Sequence, residues 1–178
     1  MSDRRLTVLQ LVANRWWTGS AEPVLRLVLA LRARGHRVLL GLPGGDRFEA
    51  KAREAGIEPL EGLSLDVKSG PLAIAADGRR LQALVSREGV DVVHTHHSHD
   101  HWLGWWGRGS AALVRSFHNE RAVRTGWPNT TLYRRSDALL AVSRRIERRL
   151  LEVGAPRGRL RHIDGVVDVA RFASDMAG

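Results

Sequence analysis

The stretch Val90-Asp91-Val92-Val93-His94-Thr95-His96 decides the fold, because a short apolar run passes directly into polar residues there. Val90, Val92 and Val93 form the apolar core of a predicted strand over residues 90–95. Histidines follow at once. In open parallel α/β sheets, ligands bind beyond the carboxyl ends of the strands. The stretch therefore predicts a buried strand that leads into a binding edge.

Further short strands recur along the chain, and predicted helices alternate with them. The helices carry apolar residues at helical spacing, as at positions 24, 27, 28 and 31. This alternation predicts a mostly parallel, doubly wound sheet covered on both faces, which is a Rossmann-like, three-layer α/β sandwich with right-handed crossovers. The predicted strands are residues 6–13, 36–42, 57–60, 90–95, 111–117, 138–142 and 159–163. The predicted helices include residues 24–31 in a helix that ends at a cap at Gly35, residues 81–85 in a helix that ends near Gly89, residues 102–107, and residues 146–153 in a helix capped by Ser143.

The loops that follow the predicted strands are the candidate binding loops. They comprise residues 14–20, 43–46, 94–101 and 118–120. Residues 62–78 have no assignment from sequence, and residues 120–131 are predicted to be a loop. We expect both of these segments to border the cleft, where loops carry function and move.

Composition narrows the class of protein. A chain of 178 residues with 43% hydrophobic and 26% charged residues is typical of one globular domain with its own core. The absence of cysteine excludes disulfides, thiolate zinc sites and cysteine nucleophiles, and it fits a reducing compartment. No apolar run is long enough for a membrane span, and none resembles a signal peptide, so we expect a cytoplasmic location.

The net charge of +9 comes almost entirely from arginine. Such a chain attracts anions such as phosphorylated substrates, nucleic acid or an anionic membrane, although a GC-rich genome accounts for the arginine content equally well. The predicted helix after residue 143 carries a basic surface, which is either a solvated face or a contact for anionic lipid headgroups, worth about 1 kcal/mol per basic residue. The arginines of this helix are Arg144, Arg145, Arg148 and Arg149, and Arg134 and Arg135 precede them. Three tryptophans either complement this surface with apolar area or form a core cluster or a partner interface: Trp102, Trp105 and Trp106.

The first candidate loop combines a small pair of residues with two tryptophans. Gly19 and Ser20 open a helix, so their backbone N–H groups can approach an anion at the positive helix end, or Ser20 simply caps the helix. Neighbouring side chains rarely both face a core, so one of Trp16 and Trp17 is expected at the surface. A surface tryptophan beside Arg15 suits a sugar, a lipid interface or a partner.

The run from His94 to Asp100 and His101 contains five of the eight histidines and raises the hypothesis of a metal site. It resembles the His-x-His-x-Asp-His run of metallo-β-lactamase-like hydrolases, but the spacing fails in both registers. When the pattern starts at His97, Asp100 and His101 each come one residue too early, and when it starts at His94, Ser98 stands in the aspartate position. We therefore predict no metal site, and we expect a polar loop that places one or two histidines at the cleft.

His118 directly follows the predicted strand over residues 111–117. At that position a histidine either bonds a substrate or acts as an acid or base, or it is a satisfied structural group. The chain shows no Ser/His/Asp or Cys/His arrangement, so the sequence does not support nucleophilic catalysis.

In their order and spacing, these segments resemble the N-terminal half of a GT-B glycosyltransferase, specifically of glycosyltransferase family four. The resemblance runs from residue 6 to residue 172. It rests on Gly19-Ser20-Ala21-Glu22 (Gly-Gly-x-Glu in the family), Gly35-His36-Arg37-Val38 (Gly-His-x-Val), Asp91-Val92-Val93-His94-Thr95-His96 (Asp-Val-Val-His-x-His), Phe117-His118, Ser136-Asp137 through Ser143 (Ala-Asp and a later Ser), and Gly165-Val166-Val167-Asp168-Val169-Ala170-Arg171-Phe172 (the interdomain Gly-Val-Asp-x-x-x-Phe).

The resemblance implies transfer of a sugar from a nucleotide-sugar donor to a glycan or lipid-linked acceptor, with retention and without a cofactor or required metal. It implies an acceptor-side domain over residues 1–164, a linker from residue 165 and an absent C-terminal donor domain, so the isolated domain should be inactive. The favoured context is cell-envelope glycan or glycolipid synthesis, with peripheral contact to the inner membrane and no nucleic acid partner. The implied site residues are His118 at the reaction cleft, Gly19, Ser20, Ser143 and Arg144 near the donor or on the cleft wall, and Trp16, Trp17, His96 and His97 on the acceptor side.

Two positions depart from the family pattern: Ser20 replaces a usual Gly, and Asp164 stands where Asn is common. The alternative functions are a stand-alone binding module that pairs with a separate donor domain and, from a different class, a metal-dependent hydrolase that uses the histidine run.

Overall fold

The computed structural model describes residues 4–14, 16–17, 19–65 and 70–164 as six strands, six α-helices and two short 3-10 turns. The strands are Thr7–Leu11 (β1), Arg37–Gly41 (β2), Val92–Thr95 (β3), Ala112–Phe117 (β4), Ala138–Ala141 (β5) and Leu160–His162 (β6). The helices are Ala21–Ala33 (α1), Arg47–Glu54 (α2), Pro71–Glu88 (α3), Ser98–Gly107 (α4), Trp127–Arg135 (α5) and Arg144–Glu152 (α6), and the 3-10 turns are Glu120–Ala122 and Arg157–Arg159.

The strands form a single parallel sheet in the order β2-β1-β3-β4-β5-β6. From β1 the chain moves outward to β2 and then crosses back to β3 on the other side of β1. The direction of winding therefore reverses between β1 and β3. In sheets of this kind, that switch point opens the crevice in which ligands bind. The predicted Rossmann-like α/β fold is confirmed.

Apolar residues on both faces of the sheet hold the three layers together. On one face, Leu9 and Leu11 of β1 pack with Leu81 of α3 and Leu103 of α4. On the other face, Val38 and Leu40 of β2 and Val12, just after β1, pack with Val24 and Val28 of α1 and Phe48 of α2. A third cluster joins β4, β5 and β6 to α5 and α6 through Phe117, Tyr133, Leu139, Ile146, Leu150 and Leu160. The alternation of side chains along each strand thus fixes which helices cover which face.

Four elements differ from the sequence prediction. Residues 57–60 form no strand, because Gly56 takes a left-handed φ of 72° and the N–H of buried Ile57 bonds back to the last turn of α2. Helix α3 already begins at Pro71, within the unassigned segment. Helix α5 lies partly in the predicted loop, and only Leu132 and Tyr133 of that helix are buried. Helix α4 begins at Ser98, so the second half of the histidine run is helical and not a loop. The proposed linker at Gly165–Phe172 lies outside the described residues.

Candidate functional site

A buried carboxylate at the switch point holds the loops after β1 and β3 together. The side chain of Asp100 is fully buried in the first turn of α4. Its Oδ1 accepts a hydrogen bond from the backbone N–H of His97 at 2.7 Å, and its Oδ2 accepts one from the backbone N–H of Ala13 at 3.0 Å. His97 and Asp100 form a capping box at the start of α4. Asp100 therefore serves as an anchor for the crevice.

A row of side chains runs from the sheet to the edge of the crevice. The Nε2 of buried His96 lies 2.8 Å from Oε1 of Gln10 on β1, and its Nδ1 lies 3.0 Å from Nε2 of His118. Burial lowers the pKa of His96 well below its ordinary value, and the neighbouring imidazoles of His94 and His118 add to this effect. His96 is therefore neutral at physiological pH, and its ring connects the sheet to His118.

His118 follows β4 and is half-buried. Burial lowers its pKa to about 4, so the ring is neutral near pH 7. Among the residues that the structure describes, no group bonds its second nitrogen, Nδ1. A neutral imidazole at this edge can exchange a hydrogen bond with a ligand hydroxyl.

Two other histidines of the run are internal. His94 is buried, its Nε2 lies 2.9 Å from the hydroxyl oxygen of Ser116, and burial lowers its pKa to about 4. His101 is also buried, with Nε2 at 2.8 Å from the hydroxyl oxygen of Ser136, and burial lowers its pKa well below the ordinary value. His94 thus joins β3 to β4, and His101 joins α4 to the end of α5, so the expectation that the run is a polar loop is wrong for this part of it.

Buried Arg115 on β4 connects the remaining loops of the crevice. Its Nη1 donates a 2.9 Å hydrogen bond to Nδ1 of His101. Its Nη2 lies 3.2 Å from the hydroxyl oxygen of Ser98 and 3.3 Å from the carbonyl oxygen of Ala122, in the loop after His118. The guanidinium also lies 4.3 Å from the centre of the Phe117 ring. Arg115 thus holds α4 and the loop after β4 in one position.

Sequence reasoning missed three residues of this arrangement, Gln10, Asp100 and Arg115. Each is a fully buried polar or charged side chain. Gln10 and Arg115 were visible as large polar residues in strands that are otherwise mostly apolar, and Asp100 was visible at capping-box spacing from His97. Isolated polar residues of this kind in predicted strands are a usable signal for cleft architecture, because they need a partner inside the fold.

The first loop lies at the same edge of the sheet. Gly19 is exposed just before α1, and a Cβ added there would meet no protein atom within 4 Å. Ser20 occupies the N-cap position of α1, but its side chain makes no capping hydrogen bond. Packing within the described residues therefore does not account for a glycine at position 19, and the start of the helix has open space in front of it.

The two tryptophans of this loop separate as expected. Trp16 is 64% exposed. Trp17 is half-buried and packs edge-on against Phe48, with ring centres 5.7 Å apart. Trp17 also lines a groove of about 670 Å³ between α1 and α2, together with Leu25, Leu29 and several charged side chains. Within the described structure, no contact joins either tryptophan to His96 or His118.

Ser143 and Arg144 begin α6, after β5. The hydroxyl oxygen of Ser143 accepts a hydrogen bond from the N–H of Ile146 at 3.3 Å, so the predicted cap is confirmed. The exposed Arg144 bonds Glu147 on the same helix at 3.0 Å. Next to it, Arg145 lies 2.5 Å from Glu120, in the loop after His118. The start of α6 is therefore connected to the crevice through Arg145, a residue that the sequence reasoning did not place there.

The basic and aromatic residues do not form one uniform patch. Arg135 lies 5.3 Å from the ring centre of Trp105, and Arg149 pairs with Glu152 on the surface of α6. Trp102 and Trp106 are 39% and 47% exposed, which shows that the tryptophans of α4 are not all core residues. Within the described residues, no group of three or more His, Asp or Glu side chains is arranged to hold a metal ion. The same residues include no helix that is both long and apolar enough to cross a membrane.

The fold is that of the Rossmann-like half of a GT-B glycosyltransferase. A glycosyltransferase from Rickettsia africae has a TM-score of 0.80 at 19% identity, and the match covers 94% of this chain and 45% of that one. Anabaena HepE in complex with UDP-glucose has a TM-score of 0.75 at 14% identity, with 97% and 50% covered. The lipopolysaccharide outer core galactosyltransferase WaaB has a TM-score of 0.75 at 12% identity, with 92% and 47% covered.

The sequence model of Glycosyltransferase Family 4 matches residues 17–171. The chain therefore belongs to glycosyltransferase family 4, as its sequence resemblance predicted. No curated protein matches its sequence significantly. The chain spans about half the length of the solved structures described above.

Proposed function

We propose that this chain is the acceptor-side domain of a retaining glycosyltransferase that takes its sugar from a nucleotide donor and acts in cell-envelope glycan or glycolipid synthesis. The observation that carries the proposal is His118, a neutral and half-buried histidine at the carboxyl end of β4, next to the switch point of a family 4 domain. Its ring is held from behind by His96 at 3.0 Å. A fixed imidazole of this kind can orient a sugar hydroxyl at the reacting centre.

The donor phosphates would lie in front of α1. The open space around Gly19 at the start of α1 suits an anion, because the start of a helix carries partial positive charge. Ser143 and Arg144 would form part of the opposite cleft wall. Trp16, Trp17 and His97 would contact the acceptor, and His96 would act from behind His118.

The second wall of the cleft would come from a C-terminal donor domain that follows residues 1–164. Solved structures of this fold are about twice as long as this chain. Catalysis requires both reactants to be held together. We therefore expect the 178-residue chain to fold but to transfer no sugar alone. Nucleotide-sugar and lipid-linked or glycan acceptors would be its partners, with no cofactor, and the protein would act in the cytoplasm at the inner membrane.

Transfer activity tests this proposal. The gene should be read beyond Gly178 and the longer protein assayed with a panel of nucleotide sugars, the anomeric configuration of the product being read by NMR. We expect a His118→Ala variant to lose about 10²-fold in rate. His36→Ala is the matched control, because His36 precedes β2 at the opposite edge of the sheet and should keep the wild-type rate. Activity with an inverted product would contradict retention, and equal rates for the two variants would contradict the role of His118.

A second assay tests the position of the donor. Gly19→Ala adds a methyl group that meets no protein atom, so stability should be unchanged while donor affinity falls. Isothermal titration with the donor found in the first assay would measure this change. If Gly19→Ala binds the donor as wild type does, the phosphates lie elsewhere. If transfer requires a separately encoded domain, the chain is instead a stand-alone binding module that pairs with a separate donor domain.

Membrane contact forms the last part of the proposal. The exposed Trp102 and Trp106 with the arginines of α5 and α6 would face anionic lipid. Vesicles with and without phosphatidylglycerol should be sedimented with the protein. We expect retention only on the anionic vesicles, with a loss on Trp106→Ala. Equal binding to neutral vesicles, or none to either, would rule out this contact.

A further inference from the structure

Gln10 is an unusual residue for its position. It is fully buried in β1 between Leu9 and Leu11. Its Nε2 has no hydrogen-bond partner among the described residues, which is unfavourable for a buried amide and which a leucine would avoid. Its other polar atom, Oε1, lies 2.8 Å from Nε2 of His96. What the side chain contributes to the fold is therefore its contact with His96.

The hydrogen-bond capacity of each group sets the direction of the row. A glutamine carbonyl oxygen only accepts, so Nε2 of His96 must carry a proton. A neutral imidazole has one N–H, which leaves a lone pair on Nδ1 of His96. That lone pair accepts from His118 at 3.0 Å, so Nε2 of His118 carries the proton. The sequence of donors and acceptors leaves Nδ1 of His118 with a lone pair.

We infer that Gln10 and His96 are positioning residues that fix the tautomer of His118, with Nε2 protonated and Nδ1 presented to the crevice as a hydrogen-bond acceptor. Burial keeps His96 neutral, so the row is not broken by protonation near pH 7. His118 would then accept a hydrogen bond from a ligand hydroxyl and would not donate one. This consequence for sugar binding rests on the proposed function, whereas the tautomer itself does not.

The opposite direction is the specific alternative. If the Gln10 amide were turned by 180°, its N–H would donate to Nε2 of His96, and each following proton would move to the other ring nitrogen. Nδ1 of His118 would then be a donor. The orientation of the Gln10 amide thus decides, through His96, whether Nδ1 of His118 accepts or donates a hydrogen bond at the crevice.

Ring ¹⁵N shifts in histidine-labelled protein read the tautomers directly near pH 7, without any substrate. We expect protonated Nε2 and bare Nδ1 for both His96 and His118, and an N–H···N coupling between the two rings with His118 as donor. The spectrum of His118→Gln assigns the signals. His101 is the internal control, because Arg115 can only donate to its Nδ1 and therefore fixes its proton on Nε2. A protonated Nδ1 on His118 would overturn the inference.

Gln10→Met removes the acceptor at nearly constant volume. We expect the His118 signals to shift toward the average of both tautomers, while those of His101 stay at their wild-type positions. Unchanged His118 shifts in a folded variant would show that Gln10 does not set the tautomer. If the variant does not fold, the wild-type spectrum still decides the direction. If the longer protein transfers no sugar while the predicted tautomer is observed, the result counts against the proposed function alone.

Discussion

Mild acid should destabilise this domain, because the fold keeps several histidines neutral. Burial lowers the pKa of both His94 and His118 to about 4, from an ordinary value of 6.5. Between these two pH values the unfolded chain binds a proton at each position and the folded chain does not. Stability is therefore complete above about pH 6.5 and is lost as the pH falls toward about 4.

The expected loss is large for a protein of this size. A pH of 5 lies about 1.5 units below the pKa that each of the two histidines has in the unfolded chain. Each histidine therefore lowers the free energy of unfolding by about 2 kcal/mol at that pH. Together they remove about 4 kcal/mol, and His96 and His101, whose pKa values burial also lowers, act in the same direction. Typical domains have only about 5–15 kcal/mol in total. We therefore expect acid unfolding to begin near pH 5.

Urea unfolding followed by circular dichroism at a series of pH values between about 7.5 and 5 measures this effect. His94→Gln should reduce the slope of unfolding free energy against pH by about one proton, which is about 1.4 kcal/mol per pH unit. Val93→Ala is the matched control, because it truncates the adjacent residue on the opposite face of β3 without removing a titrating group. It should lower the whole curve and keep the wild-type slope.

Two results would refute this reasoning. A wild-type unfolding free energy that stays constant between about pH 7 and 5 would show that the histidines are not held neutral by burial. An equal slope in His94→Gln and wild type would show that other groups take up the protons.

Further predictions concern the crevice and the packing of α4, each measured by urea unfolding near pH 7. Arg115→Lys should lose about 2–3 kcal/mol, because one ammonium group cannot reach all three partners of the guanidinium. Asp100→Asn should lose about 2–3 kcal/mol, since an amide oxygen replaces only one of the two accepting oxygens. Gly107→Ala should lose about 1–3 kcal/mol, because its Cβ would lie 2.7 Å from Leu81, whereas Gly158→Ala, with no atom within 4 Å, should be nearly neutral. A loss in Gly158→Ala as large as that in Gly107→Ala, or none in either charged-site variant, would contradict these contacts.

Strands and helices could be predicted from the sequence where the spacing of apolar residues matched only one of the two. Strands such as β3 and β4 are short apolar runs, and helix α6 has its cap at Ser143 and its buried residues at Ile146 and Leu150. Residues 57–60 also contain apolar side chains, but Ile57 bonds back to the last turn of α2, since apolar character signals burial and not conformation. Helix α5 was missed because a short helix with only two buried residues leaves little periodicity to detect.

The candidate site was less predictable, because its contacts join residues that lie far apart in the sequence. Spacing placed His118 after a strand, but it did not indicate that His96 and Gln10 lie behind it. The histidine run suggested a shared ligand. In the structure, its members bond to different partners, such as Ser116 and Ser136. Sequence patterns identify elements, whereas hydrogen bonds between strands 80 or more residues apart depend on sheet order, which local patterns do not encode.

Two buried charges keep the crevice in shape, and this arrangement points to function more than to stability. Asp100 binds backbone N–H groups of the loops after β1 and β3, and Arg115 binds α4 and the loop after β4. Burial lowers the pKa of Arg115, and the charge of Asp100 offsets part of this effect, so the two charges compensate each other in part although each bonds to neutral groups. Well-packed apolar residues often stabilise a fold at least as well as buried charges do. Apolar side chains could not, however, hold three loops by directed hydrogen bonds, so variants that impair ligand binding without contacting a ligand should occur at these two positions.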